Sequence, residues 1–188
     1  MKQVLILTLS VVGGLLLLSL GAHLLRKKVS SKTFYTVWAS LYVTSVCYFT
    51  LFCRSYREVI GIRLIPLKTY KVALSCWLGL KTYSKATCHS VLRSSRNILQ
   101  VTKNSPIEDS LLNITLFLPF GFFAGYLFKK APLWKILLWA ILFSTIIEVL
   151  QAAFHLGLCD IDDVINNAIG TLLGWLLYRV SILLFPKN

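Results

Sequence analysis

Residues Gln3–Leu25 read QVLILTLSVVGGLLLLSLGAHLL and contain no Asp, Glu, Lys or Arg. A helix needs about 20 consecutive apolar residues to cross a bilayer core, so this run predicts a membrane-spanning helix. The composition of the whole chain agrees with this prediction. Of its 188 residues 56% are hydrophobic and only 14% are charged, and the mean hydropathy is +0.71. This composition excludes an ordinary soluble globule and indicates an integral membrane protein.

Four further runs are apolar enough to cross the membrane. One of them contains Lys135 and Glu148, and the last carries Arg179 near its end, from where a guanidinium can reach the membrane surface. We therefore predict an all-α fold, a polytopic transmembrane helical bundle of about five spans with one long basic loop. A cleaved signal peptide is the alternative for the first run, which is longer than the usual apolar segment of a signal. The four further runs are Thr33–Cys53, Ser110–Phe128, Leu133–Leu156 and Val164–Phe185.

Basic residues predict how the bundle is oriented. The clusters Arg26–Lys32 and Lys129–Lys130 stand directly beside span ends, and such clusters favour the cytoplasm. The long loop Arg54–Asp109 carries ten Lys or Arg and three acids, so a count of all charges favours the loop inside instead. Charges next to span ends weigh more. We therefore predict that both clusters are cytoplasmic, and that the long loop and Cys159–Asp163 face outside.

The net charge of +13 predicts that anionic membrane lipids are partners of this protein. The chain has no signature of a nucleic-acid-binding fold, and we expect no nucleic-acid partner. The five cysteines are scattered and form no CxxC pair, so neither a disulfide framework nor a zinc site is expected.

Four of the seven acidic residues lie close together around the last two spans. They are Glu148, Asp160, Asp162 and Asp163. Glu148 lies deep in an apolar run, where an ionised carboxylate is costly unless it is paired or hydrated. Gln151 and His155 follow it by three and seven residues, which predicts one polar helix face directed into the bundle or a wet cavity. A functional site is favoured over a structural clamp between helices.

The three aspartates stand just before the last span. Capping of a helix N-terminus accounts for one or two carboxylates, and three with a nearby Glu exceed that need. Crowded carboxylates repel each other unless they share protons or hold a basic group or a cation. An Arg or Lys from the long loop is the expected partner. We expect no cofactor, with a divalent cation such as Mg²⁺ or Ca²⁺ as the second candidate for these oxygen ligands.

Two GxxxG motifs predict close helix packing. They are GFFAG (Gly121–Gly125) in span three and GTLLG (Gly170–Gly174) in the last span. Small residues at this spacing let helix backbones approach each other. Asp163 and Asn167 extend the second motif along the same helix face. Gly121, Gly125, Gly170 and Gly174 are therefore predicted at helix contacts.

Three motifs, in this order and at these separations, resemble the VanZ-like membrane protein family. They are NITLFLPFG (Asn113–Gly121), IEVLQ (Ile147–Gln151) and DIDDVINNAIGTLLG (Asp160–Gly174). The segment RLIPLKTY (Arg63–Tyr70) is similar to the family's N-L-I-P-F segment, with Arg63 in place of the usual Asn. The resemblance covers roughly Thr33 to Tyr178.

The resemblance implies two parts: an added N-terminal transmembrane helix with its basic cytoplasmic turn at 1–32, and a VanZ-like helical domain at 33–188. It also implies that the polar positions of the family motifs form the binding or functional site. In this chain those positions are Asn113, Glu148, Gln151, Asp160, Asp162, Asp163 and Asn167, with Arg63 in the loop.

The family is associated with reduced susceptibility to teicoplanin and related lipid-bearing glycopeptides in Gram-positive bacteria. The resemblance therefore implies a multi-pass protein of a Gram-positive plasma membrane. The first hypothesis is a non-enzymatic protein that acts at the outer leaflet on the lipid environment or on a lipid-linked cell-wall precursor. The alternative is an enzyme that acts on a polyprenyl-phosphate or phospholipid headgroup through the Asp/Glu cluster. A small transporter is a third hypothesis, but the spans show no inverted repeat.

Overall fold

A computed structural model describes residues 2–25, 30–53, 61–63, 65–78 and 106–185. Six α-helices and two short strands lie in this part of the chain. Residues 26–29 of the first basic cluster and residues 54–60, 64 and 79–105 of the long loop lie outside the described residues. The helices are α1 (Lys2–Leu25), α2 (Ser31–Cys47), α3 (Lys68–Trp77), α4 (Pro106–Leu127), α5 (Leu133–Ala153) and α6 (Ile161–Leu184).

Five helices of the described chain are long and apolar enough to cross a membrane, which confirms the predicted all-α transmembrane bundle. A π-helical turn at Tyr48–Phe52 continues α2, so that its span runs from Ser31 to Phe52. Helix α3 has only ten residues and is too short to cross. The chain is therefore a multi-pass membrane protein.

Helix α4 lies at the centre of the bundle and contacts α1, α2, α5 and α6. More than half of its span is buried inside the protein, against a third or less for each of the other four spans. Phe117 and Phe122 of α4 are fully buried. Two side-chain contacts tie α4 to its neighbours: Thr8 of α1 lies 2.8 Å from the Thr115 hydroxyl, and Tyr42 of α2 donates to the Leu116 carbonyl at 2.8 Å.

Glycines bring α4 and α6 into direct backbone contact. A Cβ atom added to Gly170 would overlap the carbonyl oxygen of Ile114, and one added to Gly174 would overlap that of Leu118. On the other helix, a Cβ on Gly121 would overlap the Thr171 carbonyl. Ile114 meets Gly170 and Leu118 meets Gly174, so the contacts advance in the same direction along both helices and α4 and α6 run parallel. Helix α5, which connects them in the sequence, runs in the opposite direction.

Two short strands join the loop to the last span. Strand β1 (Gly61–Arg63) pairs in parallel with β2 (Leu158–Asp160), and Arg63 lies opposite Asp160. The sequence analysis did not predict this pairing. Because β2 leads directly into α6, the strands bring the loop against the start of the last span.

Charge differs between the two ends of the bundle. All acidic residues that the structure describes lie at one end, here called the acidic end, where α4 and α6 begin and α5 finishes. The opposite end, here called the lysine end, contains the start of α2 and the turn between α4 and α5, with Lys32, Lys129, Lys130 and Lys135. The described acids are Glu108, Asp109, Glu148, Asp160, Asp162 and Asp163.

Candidate functional site

Glu148 is the buried carboxylate at the centre of the acidic end. Its side chain is only 4% exposed, and its Oε2 accepts the backbone N–H of Asp160 at 3.0 Å. The chain reaches this position because α5 ends at Ala153 and turns back, with the Leu156 N–H donating to the Gln151 carbonyl at 2.7 Å. A carboxylate inside the bundle thus accepts a hydrogen bond from the backbone of the strand that follows its own helix.

Asp160 and Asp162 continue this arrangement. Asp160 is the N-cap of α6, and its Oδ1 accepts the Asp162 N–H at 3.0 Å. Asp162 is buried, and its Oδ1 accepts the N–H of Leu67 from the loop. The loop therefore reaches Asp162 through the backbone N–H of Leu67, and the Arg or Lys partner expected from the loop stays a prediction. Asp163 lies half-buried on the same first turn of α6.

Gln151 connects α5 to the end of α2. It is 1% exposed, and its Nε2 donates to the carbonyl of Thr50 at 3.1 Å. Thr50 lies in the π-helical turn, where backbone carbonyls depart from the α-helical pattern. His155 does not share this helix face, contrary to the sequence prediction. It lies beyond the end of α5 with φ of 58°, because the chain must turn there to place β2.

Two asparagines of α6 complete the cluster. Asn167 donates from Nδ2 to the Ser144 hydroxyl of α5 at 2.7 Å, and Asn166 accepts from the Tyr70 hydroxyl of α3 at 2.5 Å. The sequence analysis missed Ser144, Asn166 and Tyr70. Ser144 could have been predicted from the sequence, because it precedes Glu148 by four residues and therefore shares its helix face. We call Glu148, Gln151, Asp160, Asp162, Asp163, Asn166 and Asn167 the polar cluster.

Three buried atoms of the polar cluster have no hydrogen-bond partner within the described residues. They are Gln151 Oε1, Asn166 Nδ2 and Asn167 Oδ1. Buried polar atoms in folded proteins nearly always have a partner, which is protein, water or ligand. Gln151 Oε1 and Asn167 Oδ1 can each accept a hydrogen bond, and Asn166 Nδ2 can donate one. The cluster thus has unused capacity for a polar group or for ordered water.

Arg63 and Asn113 occupy different places. The backbone of Arg63 lies beside the polar cluster, because β1 pairs it with Asp160. Asn113 lies half-buried in α4, one residue before the Ile114 carbonyl that contacts Gly170. In the described part of the chain no hydrogen bond joins Asn113 to the polar cluster.

The surroundings of Cys159 at the acidic end raise the pKa of its thiol. Burial raises the pKa of its thiol, and the nearby carboxylates of Glu148 and Asp160 raise that pKa further. Cys159 is a free thiol, as are Cys47 and Cys53. Among the residues described, no group of three or more His, Cys, Asp or Glu side chains is arranged to hold a metal ion. The divalent cation stays a prediction.

Known proteins similar to this chain belong to the family that its sequence motifs resemble. The sequence model of the VanZ/LLP1 family matches residues 39–184, which include every residue of the polar cluster. The chain is also 30% identical over 117 residues to a protein of Enterococcus faecium named "Protein VanZ"; the aligned region covers 61% of this chain and 72% of that protein. No solved structure matches this chain.

Proposed function

The chain belongs to the VanZ/LLP1 family, and we propose that it reduces the susceptibility of a Gram-positive host to teicoplanin-type lipoglycopeptides. It acts at the outer leaflet of the plasma membrane, where the polar cluster recognises a polar group of a lipid-linked cell-wall precursor or of the lipids around it. The action is one of binding, without a chemical step.

The observation that carries this proposal is the unused hydrogen-bonding capacity of the polar cluster. Gln151 Oε1, Asn166 Nδ2 and Asn167 Oδ1 are buried where the loop meets the last two spans. In the orientation predicted from the basic clusters, this end faces outside. Sugar hydroxyls and peptide amides of a precursor supply both donors and acceptors, which suits a site with both kinds of open position.

The long loop supports an encounter with such a ligand. Lys68 and Lys71 belong to α3, which Tyr70 ties to Asn166 of the polar cluster. A basic residue near an anionic membrane surface contributes about 1 kcal/mol of attraction. Precursor phosphates would be drawn to the same side. A lipoglycopeptide must both insert its acyl chain into the membrane and reach the precursor. When this protein occupies the membrane surface around the precursor, the antibiotic binds there less well.

The enzyme hypothesis receives less support from the geometry. A carboxylate that acts as a general acid or base must reach the proton that it transfers. Glu148, Asp160 and Asp162 each direct a carboxylate oxygen to a backbone N–H of the protein itself. This arrangement favours a role in holding the site together.

The test is the teicoplanin susceptibility of a Gram-positive host that expresses the chain, compared with empty vector. Glu148→Gln and Asp162→Asn keep the size and one acceptor oxygen of each side chain and remove its charge. Asp109→Asn is the matched control, since it makes the same change on the first turn of α4. Membrane abundance of every variant is measured by immunoblot.

We expect the unmodified chain and Asp109→Asn to raise the inhibitory concentration of teicoplanin, and the two cluster variants to lose that effect at normal abundance. The inhibitory concentration of a glycopeptide without an acyl chain should rise much less. If the unmodified chain leaves teicoplanin susceptibility unchanged, the proposal is wrong.

A further inference from the structure

A cavity opens at the lysine end, on the opposite side of the bundle from the polar cluster. It has a volume of about 690 Å³ and lies between the start of α2 and the turn that joins α4 to α5. The helices that border it begin or end there: α2 begins at Ser31, α4 ends at Leu127 and α5 begins at Leu133. The cavity therefore lies at the edge of the predicted membrane spans. We call it the lysine cavity; the polar residues described in its lining are Ser30, Ser31, Lys32, Tyr35, Tyr126, Lys129 and Lys130.

The lining of the lysine cavity is positively charged. Lys32 comes from α2, and Lys129 and Lys130 come from the turn after α4, so two separate segments direct basic residues to one space. No carboxylate is among the lining residues that the structure describes, and the described acids all lie at the acidic end. The lysines of these two segments give an anion in this cavity a positively charged surrounding.

The start of α2 adds to this field. Its N-cap Ser30 makes no capping hydrogen bond, and its first turn contains no acidic residue. The first-turn N–H groups of a helix carry partial positive charge and have no partner within the helix. Ser30 and Ser31 also bring hydroxyl donors to the cavity wall. Hydroxyls, backbone N–H groups and ammonium groups together suit a phosphate.

The apolar rim of the cavity points to a lipid as the source of that phosphate. Phe128 lines the cavity, is 49% exposed, and packs edge-on against Trp139 with ring centroids 4.8 Å apart. Trp134, on the first turn of α5, is 61% exposed. Aromatic side chains of this kind stand at membrane interfaces. A headgroup held by the lysines would leave its acyl chains beside this aromatic surface.

We propose that the lysine cavity binds the phosphate headgroup of an anionic membrane lipid. The inference is independent of the function proposed for the polar cluster, because it concerns other residues at the other end of the bundle. Basic pockets between spanning helices on the cytoplasmic side are a recognised setting for such headgroups. The bound lipid would fix the turn between α4 and α5 against the start of α2.

The test uses the full-length protein, purified in a neutral detergent. It is titrated with dioleoyl phosphatidylglycerol, with dioleoyl phosphatidylcholine, and with inorganic phosphate, and bound molecules are counted by native mass spectrometry. The variant Lys129→Gln/Lys130→Gln removes two charges from the cavity. The control variant Lys135→Gln/Arg179→Gln removes two charges from the same end outside the cavity, where each cation lies 5.4 Å from a tryptophan ring.

Phosphatidylglycerol should bind saturably to the unmodified protein. The cavity variant should bind it about 25-fold more weakly, at roughly fivefold for each lysine, and the control variant within about twofold of the unmodified protein. Lys129→Arg/Lys130→Arg keeps the charge and should keep the binding. Lys32→Gln, on the other wall, gives an independent loss of about fivefold if the double variant does not fold.

Three results would overturn the proposal. An equal loss in the control variant would mean that diffuse charge, and not the cavity, attracts the lipid. Equal binding of phosphatidylcholine would remove the need for an anionic headgroup. Inorganic phosphate that binds as tightly as phosphatidylglycerol, with the same loss in the cavity variant, would identify a free anion as the ligand.

Discussion

The carboxylate of Glu148 accepts the backbone N–H of Asp160 at 3.0 Å, across the turn that separates the last two spans. Asp160 in turn accepts the N–H of Asp162, and Asp162 accepts the N–H of Leu67. Three carboxylates in series thus fix three backbone segments: strand β2, the start of α6, and the loop before α3. Glu148, Asp160 and Asp162 thus stand where backbone N–H groups need acceptors.

Removal of the Glu148 acceptor should destabilise the protein. Glu148→Leu leaves the Asp160 N–H without this acceptor, and an unsatisfied buried donor costs about 1–3 kcal/mol. Glu148→Gln keeps an acceptor oxygen and should cost less. The free energy of unfolding is measured by reversible detergent denaturation in mixed micelles. Equal stability of Glu148→Leu and the unmodified chain would show that the hydrogen bond contributes nothing.

The contact between α4 and α6 should not tolerate a methyl group. In Gly174→Ala the new Cβ meets the Leu118 carbonyl, which belongs to backbone and cannot rotate away. The helices must separate, at a cost of about 1–3 kcal/mol for overpacking. Gly13→Ala is the matched control, since a Cβ there has nothing within 4 Å. The midpoint of thermal unfolding in detergent should fall for Gly174→Ala and stay or rise for Gly13→Ala; equal midpoints would contradict the contact.

The thiol of Cys159 should react slowly near neutral pH. Burial, Glu148 and Asp160 all raise its pKa, and only the thiolate is nucleophilic, so each unit of increase lowers the reactive fraction about tenfold. In a variant that retains only Cys159, the rate of iodoacetamide alkylation should keep rising with pH beyond the usual thiol range. Glu148→Gln removes a negative charge, lowers the pKa and should speed the reaction at neutral pH.

A second variant that retains only the exposed Cys53 gives the reference rate for this measurement. A rate for Cys159 that levels off at or below the ordinary thiol pKa, or that does not change in Glu148→Gln, would contradict the electrostatic coupling between these residues.

The hydrogen bond from Tyr70 to Asn166 should couple α3 to the last span. Tyr70→Phe removes only the hydroxyl and should cost about 0.5–1.5 kcal/mol. A double-mutant cycle with Asn166→Ala should give a coupling energy of about 1 kcal/mol. Faster hydrogen exchange of the α3 amides in Tyr70→Phe is the structural measurement. Strictly additive effects of the two substitutions would show that the pair does not interact.

The spans of this protein are predictable because each needs only local information. The apolar run predicted at Leu133–Leu156 corresponds to α5 at Leu133–Ala153, and the run at Gln3–Leu25 corresponds to α1. The error at His155 has a tertiary cause. The i+7 spacing holds only while the helix continues, and the pairing of β2 with β1 ends α5 before that point.

The partners within the polar cluster are less predictable. Glu148, Asp160 and Asp162 are conspicuous as carboxylates, but the groups that they bind include backbone N–H groups, which every residue except proline carries. Sequence patterns therefore do not distinguish Leu67 from its neighbours. The pairing of β1 with β2 is equally hidden, since two strands of three residues far apart in the chain have no period to detect.

The parallel contact between α4 and α6 has a consequence for biosynthesis. A ribosome delivers α4 to the membrane before α5 and α6, because chains emerge from the N-terminus. The glycine face of α4, which closes against the Thr171 carbonyl and its neighbours, therefore stays uncovered until the final span is inserted. The central helix of the bundle is the third of the described spans to enter the membrane, yet it acquires its most extensive described partner last.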